Sequence, residues 1–121
     1  MIYRLQIYDL IMKSLDREML HGHAETLVLT LLAKGGSYGY QLRKDLAVRS
    51  KHYFQFAFGS LYPLLRRLEK RGFARARWVK ARGVREHKQY TITAKGLAEL
   101  EARKRKWHQF SKAMERVLSH S

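Results

Sequence analysis

Apolar residues recur at steps of three and four along most of the chain, a spacing that predicts amphipathic helices. Residues 1–15 carry one such stripe, formed by Ile2, Leu5, Tyr8, Ile11 or Met12, and Leu15. Residues 24–34 carry a second stripe, which stops at Gly35 and Gly36. Because the stretch 16–22 lacks this pattern, the sequence predicts two separate helices before residue 35.

A third helix is predicted over residues 38–50. Ser37 precedes it and is a residue type that caps helices, while Tyr40, Leu42 and Leu46 are expected to face inward. The aromatic stretch 53–56 follows, and its composition favours a short strand.

A fourth helix is predicted after Gly59 and Ser60, with Gly72 at its end. Pro63 fits only in its first turn, because proline lacks the N–H group that a helix interior requires. The inward face of this helix consists of Leu61, Leu64, Leu65 and Leu68.

From residue 74 the pattern changes to short runs that favour strands. The runs 74–80 and 87–93 are separated by a glycine-containing loop, which predicts a β-hairpin. Thr93 is suited to cap a long last helix, residues 94 to about 118. Short helices followed by a hairpin predict a mainly α fold with a β-hairpin wing, the winged helix-turn-helix, joined to a long C-terminal helix and an N-terminal helix.

The net charge of the chain predicts the kind of partner that it binds. The chain of 121 residues holds 25 Lys and Arg against 10 Asp and Glu, a formal charge of +15. Residues 1–60 carry 8 basic and 5 acidic side chains, and residues 61–121 carry 17 and 5. Such an excess indicates a polyanionic partner that meets the second half of the chain.

Composition also excludes several classes of protein. Zero cysteines exclude disulfides and thiolate sites, and no apolar run reaches the roughly 18 to 20 residues that span a bilayer. The N-terminus does not have the pattern of a signal peptide. We therefore expect a cytoplasmic protein without a membrane partner.

Three segments of the chain form an ordered set of motifs. They are the runs Gly-Tyr-Gln-Leu at 39–42, Gly-Ser-Leu-Tyr-Pro-Leu-Leu-Arg-Arg-Leu-Glu-Lys-Arg-Gly at 59–72, and Tyr-Thr-Ile-Thr-Ala-Lys-Gly at 90–96. Together they resemble the PadR family of winged-helix transcriptional regulators. The resemblance implies a homodimeric repressor of the type with a single C-terminal helix. The chain departs from the family pattern in two places. Val84 replaces the second glycine of the family's wing, and the N-terminal segment is longer than in the family.

The periodicity and the resemblance together predict a division of the chain into three parts. Residues 1–15 form an amphipathic helix at the dimer interface, residues 16–93 the DNA-binding domain, and residues 94–121 the dimerisation helix.

The fourth helix is the predicted recognition helix, which enters the major groove. Ser60 and Tyr62 lie at its start and are expected to contact DNA, although Tyr62 also suits a place in the core. Arg66 and Arg67 lie one turn further and are candidates for phosphate contact, whereas the alternative is a solvated charged face.

The hairpin supplies further candidates for DNA contact. Arg82 and Arg85 bracket Gly83 at its tip and are expected to reach the minor groove or the adjoining backbone. Lys88, on the second strand, belongs to the same basic set.

The last helix carries a heptad pattern that predicts dimerisation. Its members are Leu100, Trp107, Phe110, Met114 and Val117. Such a seam needs a partner helix to cover it. Trp107 has two interpretations: it fills the seam, or, as the family resemblance implies, it stacks on a small aromatic effector.

No motif indicates catalysis or a cofactor. Paired catalytic carboxylates, a Ser/His/Asp set and a phosphate-binding loop are not recognisable, so we expect no enzyme. His21 and His23 lack a third ligand nearby and are interpreted as polar surface or capping residues without a metal. The alternatives to a DNA-binding regulator are a basic RNA-binding or ribosome-associated module, and a protein whose last helix pairs with another protein.

Overall fold

The computed structural model describes the backbone of residues 2–56, 59–80 and 86–119, and the side chains of these ranges outside 2–5, 13–18 and 21–22. Its elements in chain order are α1 (Ile2–Leu32), β1 (Ser37–Tyr38), α2 (Gly39–Arg49), α3 (Leu61–Lys70), β2 (Ala74–Val79), β3 (His87–Ile92) and α4 (Ala94–Ser119). This arrangement of helices around a small antiparallel sheet confirms the predicted winged-helix fold class with a long C-terminal helix.

One hydrophobic core joins the C-terminal half of α1 to α2, α3, the sheet and the first turns of α4. The four leucines predicted for the inward face of α3 are all buried, as are Leu42 and Leu46 of α2. Leu100 of α4 is also buried in this core, with 1% of its surface exposed. The core therefore fixes the position of α3 relative to the sheet and to the start of α4.

The N-terminal segment forms one helix, so the predicted break over residues 16–22 is wrong. α1 runs for 31 residues from Ile2 to Leu32. The stretch contains no proline, and a single glycine inside a helix costs only about 1 kcal/mol, which the surrounding turns compensate. Beyond the core, the N-terminal half of α1 leaves large apolar side chains exposed, among them Tyr8, Ile11 and Met12.

Ser37 does not cap α2. It belongs instead to β1, which pairs with β3 in the register Ser37 to Tyr90, so that the sheet has the order β1-β3-β2. The helix begins at Gly39 after Tyr38, which makes no side-chain cap hydrogen bond. Pairing with β3 has overridden the local preference of serine for a cap.

The aromatic stretch 53–56 does not form the expected strand. Lys51 and His52 adopt positive φ angles of 53° and 65°, and the amide of Phe54 donates to the Ser50 hydroxyl at 2.9 Å. These features build a turn that delivers Phe56 to the core, where 7% of it is exposed. Tyr40 was also wrongly assigned to the interior, since 57% of its surface is exposed.

The hairpin follows the prediction closely. β2 and β3 pair antiparallel from Ala74 opposite Ile92 to Val79 opposite His87. The Thr93 hydroxyl caps α4 by accepting a hydrogen bond from the Gly96 amide at 3.0 Å, and it donates to the Gly72 carbonyl at 2.6 Å. The wing and α4 are thereby attached to the end of α3.

Candidate nucleic-acid interface

The helix α3, the predicted recognition helix, has a buried face and an exposed face. Its four leucines point into the core. Tyr62 and Arg66 are one turn apart on the opposite side of the helix, and both are exposed. The first two turns of α3 therefore offer a phenol and a guanidinium to the solvent.

The ring of Tyr62 rests against the first residue of α2. A Cβ added at Gly39 would lie 2.8 Å from Tyr62 Cε1 and 3.0 Å from the hydroxyl oxygen, so a larger residue at position 39 would push the ring aside. Because 49% of Tyr62 is nevertheless exposed, the ring does not fill the core. Ser60 lies just before α3 and is exposed, and its hydroxyl does not cap the helix.

Arg67 differs from its neighbour Arg66 because it faces α1. Its Nε lies 3.9 Å from a carboxylate oxygen of Glu25, and Arg71 and Arg103 approach the same carboxylate at 3.6 and 3.3 Å. Arg103 of α4 also binds Glu99 at 2.7 Å. Only 17% of the Glu25 side chain is exposed, and this carboxylate thus joins α1, α3 and α4.

The wing contributes Lys88 to the surface beside α3. Its ammonium lies 3.4 Å from Glu69 of α3 and 5.6 Å from the ring centroid of Tyr90. Lys88 therefore links the wing to α3, and Glu69 neutralises part of its charge. Arg82 and Arg85, predicted for the wing tip, lie outside the described residues.

Between α3 and the wing lies a groove of about 400 Å³, here called the wing groove. Aromatic side chains form most of its lining: Tyr38, Tyr40, Tyr62, Trp78, His87 and Tyr90. Arg66, Glu86 and Lys88 are at its polar margin. Sequence reasoning missed Tyr40, Trp78 and His87, although the alternation along β2 puts Trp78 on the same face as Ala74 and Ala76.

The C-terminal helix extends beyond the core. Leu100 packs inside the chain itself, so it is not available as the first member of a dimer seam. The other four predicted members, Trp107, Phe110, Met114 and Val117, are 45%, 58%, 45% and 75% exposed.

Trp107 also borders a cavity between α1 and α4. The cavity has a volume of about 360 Å³, and Phe110, His23 and Arg103 contribute to its lining. Within the described residues, no group of three His, Cys, Asp or Glu side chains could hold a metal ion. Among these residues, too, none of the helices has the combination of length and apolar character needed to cross a bilayer.

Comparison with known proteins connects this architecture to one family. Residues 28–102 match the model of the "Transcriptional regulator PadR-like family". A protein of Lysinibacillus sphaericus, described as uncharacterized, is 28% identical over 90 residues, which are 74% of this chain and 83% of that protein.

Solved structures give the same result. A PadR family transcriptional regulator from Eggerthella lenta DSM 2243 is 32% identical, with a TM-score of 0.85 over 96% of this chain and 99% of that one. A PadR-like transcriptional regulator from Bacillus cereus ATCC 14579 is 31% identical, with a TM-score of 0.72 over 84% of this chain and 96% of that one. The first of these matches includes nearly the whole chain.

Proposed function

Because this chain belongs to the PadR-like family of transcriptional regulators, we propose that it binds an inverted-repeat operator in double-stranded DNA as a homodimer and represses transcription. The family consists of transcriptional regulators, which confirms the prediction that the protein is not an enzyme.

The observation that carries the proposal is the exposed face of α3 beside the wing. Tyr62 is the second residue of this helix, at the end from which a recognition helix reaches base edges and phosphates, and Arg66 lies one turn further along the same exposed side. The chain has a formal charge of +15, and its second half, which includes α3 and the wing, carries most of the excess. A polyanion that meets this surface gains from counterion release.

The proposed contacts differ in what they do. Ser60 and Tyr62 donate hydrogen bonds to a base edge or a phosphate, and Arg66 binds phosphate. Arg67 makes a weaker contribution, because its guanidinium lies near Glu25. Lys88, Arg82 and Arg85 bring the wing to the adjacent backbone or minor groove.

Dimerisation is proposed to cover the exposed apolar side of α4. Trp107, Phe110 and Met114 each leave close to half or more of their surface in solvent, an unfavourable state for a monomer. The exposed apolar residues of the N-terminal half of α1 would extend the same interface. A homodimer places two recognition helices about one helical turn of DNA apart, which suits an inverted repeat.

Release from DNA is proposed to involve a small aromatic compound. The cavity between α1 and α4 has Trp107 and Phe110 in its lining, and their rings suit stacking on a flat molecule. Arg103 also lines this cavity, and its guanidinium lies 3.3 Å from Glu25, which Arg67 of α3 approaches as well.

Selection of bound sequences from a random duplex library tests the function directly. We expect recovery of an inverted repeat, with affinity for it falling on the order of 10³ to 10⁵ between 50 and 200 mM salt if each half of the dimer makes about 3 to 5 phosphate contacts. Recovery of no duplex, together with tight binding to RNA, would replace the proposal with the RNA-binding alternative.

Arg66 and Arg67 offer a matched pair of variants on one helix. Arg66→Ala removes one phosphate contact from each protomer, so it should weaken duplex binding and lower the salt slope of the dimer by about two units, whereas Arg67→Ala should change binding less. Equal losses from both variants would contradict the distinction between the two sides of α3.

A further inference from the structure

The wing groove brings exposed aromatic rings from three separate elements into one place. Tyr40 of α2 is 57% exposed, Tyr62 of α3 is 49% exposed and Trp78 of β2 is 65% exposed. All three line the same groove. Single exposed aromatics are ordinary on a protein surface, but rings that converge on one concave site indicate a binding surface.

Tyr40 is held in position before any ligand arrives. Its ring stacks on Tyr38, with centroids 5.8 Å apart and an angle of 13° between the planes. The His87 ring meets both tyrosines edge-on, at 5.9 Å from Tyr38 and 6.0 Å from Tyr40. A ring fixed by its neighbours loses little conformational entropy when a ligand covers it.

Trp78 lines the wing groove because of its place on β2. It shares a strand face with Ala74 and Ala76, which are buried and half-buried, but it lies beyond the edge of the core. Most of the indole is therefore left for a ligand to cover.

The charges around the wing groove balance one another. Lys88 at its margin lies 3.4 Å from Glu69, and Arg66 shares the margin with Glu86. Two cations thus stand against two carboxylates, although the chain as a whole has a formal charge of +15. An ion of either sign gains little attraction here and must give up its hydration to enter between the rings. The wing groove therefore favours an uncharged ligand.

The dimensions of the wing groove suit a small molecule. Its volume of about 400 Å³ is within the range of small-molecule sites, roughly 300 to 1,000 Å³. Tyr90, which is 4% exposed, also contributes to the lining, so the groove reaches the edge of the core. Flat aromatic compounds make stacked and edge-on contacts with such rings, and these contacts need no charge on the ligand.

We propose that the wing groove binds an uncharged, planar aromatic compound, which stacks on Tyr40 and Trp78. Tyr38 and His87 are positioning residues that hold the Tyr40 ring. This site is separate from the cavity between α1 and α4, because the two linings have no residue in common.

A ligand in the wing groove competes with DNA directly. Tyr62 lines the groove and is also a proposed DNA contact, so a compound beside its ring covers the start of α3. Release through the cavity between α1 and α4 would instead act on α3 from a distance. The competition rests on the proposed DNA-binding function, whereas the binding of the ligand does not.

Two related dyes test the site and its preference for an uncharged ligand. N-phenylnaphthylamine is an uncharged aromatic compound whose fluorescence rises in apolar surroundings, and anilinonaphthalenesulfonate is the same molecule with one sulfonate added. Each dye is titrated into the full chain without DNA. We expect the uncharged dye to bind the wing groove about tenfold more tightly, because the sulfonate loses hydration without gaining a free cation. Equal or tighter binding of the sulfonate in this groove would overturn the choice of an uncharged ligand.

Variants locate the bound dye. Tyr40→Ala and Trp78→Ala each remove one ring of the groove and should weaken binding of N-phenylnaphthylamine by about tenfold, with the melting temperature preserved because both rings are exposed. Tyr53→Ala removes a ring that is 62% exposed outside the groove and should leave dye binding unchanged. Trp107→Ala removes a ring from the other cavity. Loss of binding in Trp107→Ala but in neither groove variant, or no binding to the parent, would overturn the site. The two groove variants lie on different elements, so one of them still tests the site if the other does not fold.

Competition is measured by anisotropy of a labelled duplex of the selected sequence. With N-phenylnaphthylamine at about ten times its own Kd, the apparent Kd for the duplex should rise about tenfold in the parent and much less in Trp78→Ala. An unchanged duplex affinity in the parent would overturn the competition and leave the ligand site intact. Absence of any duplex complex without dye would refute the DNA-binding function, and the competition with it, while the dye titrations still decide the ligand site.

Discussion

The substitution Gly96→Ala changes the stability of the protein through two opposed effects, helix propensity and steric overlap, and the sign of the change shows which effect is larger. Gly96 is the third residue of α4 and is buried against the chain between α3 and β2. The carbonyl oxygen of Phe73 lies where a Cβ on Gly96 would point, and it also accepts a hydrogen bond from the Thr93 amide at 3.1 Å. Helix propensity alone predicts that Gly96→Ala stabilises the protein, since alanine is the better helix former by about 1 kcal/mol.

The local geometry predicts the opposite. A Cβ at this position would lie 2.8 Å from Ile92 Cγ1 and 3.0 Å from the Phe73 carbonyl carbon, and closer still to the carbonyl oxygen. Because the nearest atoms belong to the backbone, the start of α4 must move away from the end of α3. Overpacking of this kind costs about 1 to 3 kcal/mol. Loss of the two hydrogen bonds nearest the clash, from the Thr93 amide to the Phe73 carbonyl and from the Gly96 amide to the Thr93 hydroxyl, adds about 1 kcal/mol for each bond.

After subtraction of the propensity gain, Gly96→Ala should lower the free energy of unfolding by about 2 to 4 kcal/mol. The measurement is urea denaturation followed by circular dichroism, at one fixed protein concentration because the proposed dimer makes stability concentration-dependent. Ala98→Gly, at an exposed position of the same helix, is the control. It should cost about 0.5 to 1 kcal/mol and measures propensity alone. A Gly96→Ala variant at least as stable as the parent would refute the close approach.

Three further perturbations test the charges, the recognition helix and the dimer. Glu25→Gln removes the carboxylate that three arginines approach and should destabilise the protein by about 1 kcal/mol, with a smaller effect in high salt; equal stability at low salt would contradict this. Tyr62→Phe keeps the ring against Gly39 but removes the hydroxyl, and should cost about 1 to 3 kcal/mol in operator binding, measured by anisotropy; unchanged affinity would remove the hydroxyl from the interface. Truncation after Ala102 should leave a monomer or an insoluble chain in sedimentation, and an unchanged dimer would exclude α4 as the interface.

The parts of the fold that were predictable from the sequence depend on local pattern. The leucine spacing of α3 was enough to assign all four of its buried residues. The hairpin strands were predictable from the change of period at residue 74, and the Thr93 cap from the residue type before a helical run. In each case, a short stretch of sequence carries the signal, although the contacts themselves come from other elements.

The predictions that were wrong concern residues whose structure depends on long-range contacts. Ser37 had a local preference to cap a helix, but pairing with Tyr90, which lies far along the chain, placed it in β1. The aromatic stretch 53–56 had strand propensity, yet Phe56 turned into a core whose other members come from all parts of the chain. Long-range contacts of this kind are not visible in a window of local sequence.

The candidate site, too, has features that the sequence predicts and features that depend on tertiary packing. Sequence pattern alone determined which helix carries the exposed polar face and that the second half of the chain is strongly basic, because helical periodicity and charge are properties of the residues themselves. Only the tertiary structure decided that Arg67 lies near Glu25 whereas Arg66 does not, and that Tyr40, Trp78 and His87 share one groove with Tyr62. The physical reason is that these side chains come from separate elements, and only packing around a common core brings them to the same surface.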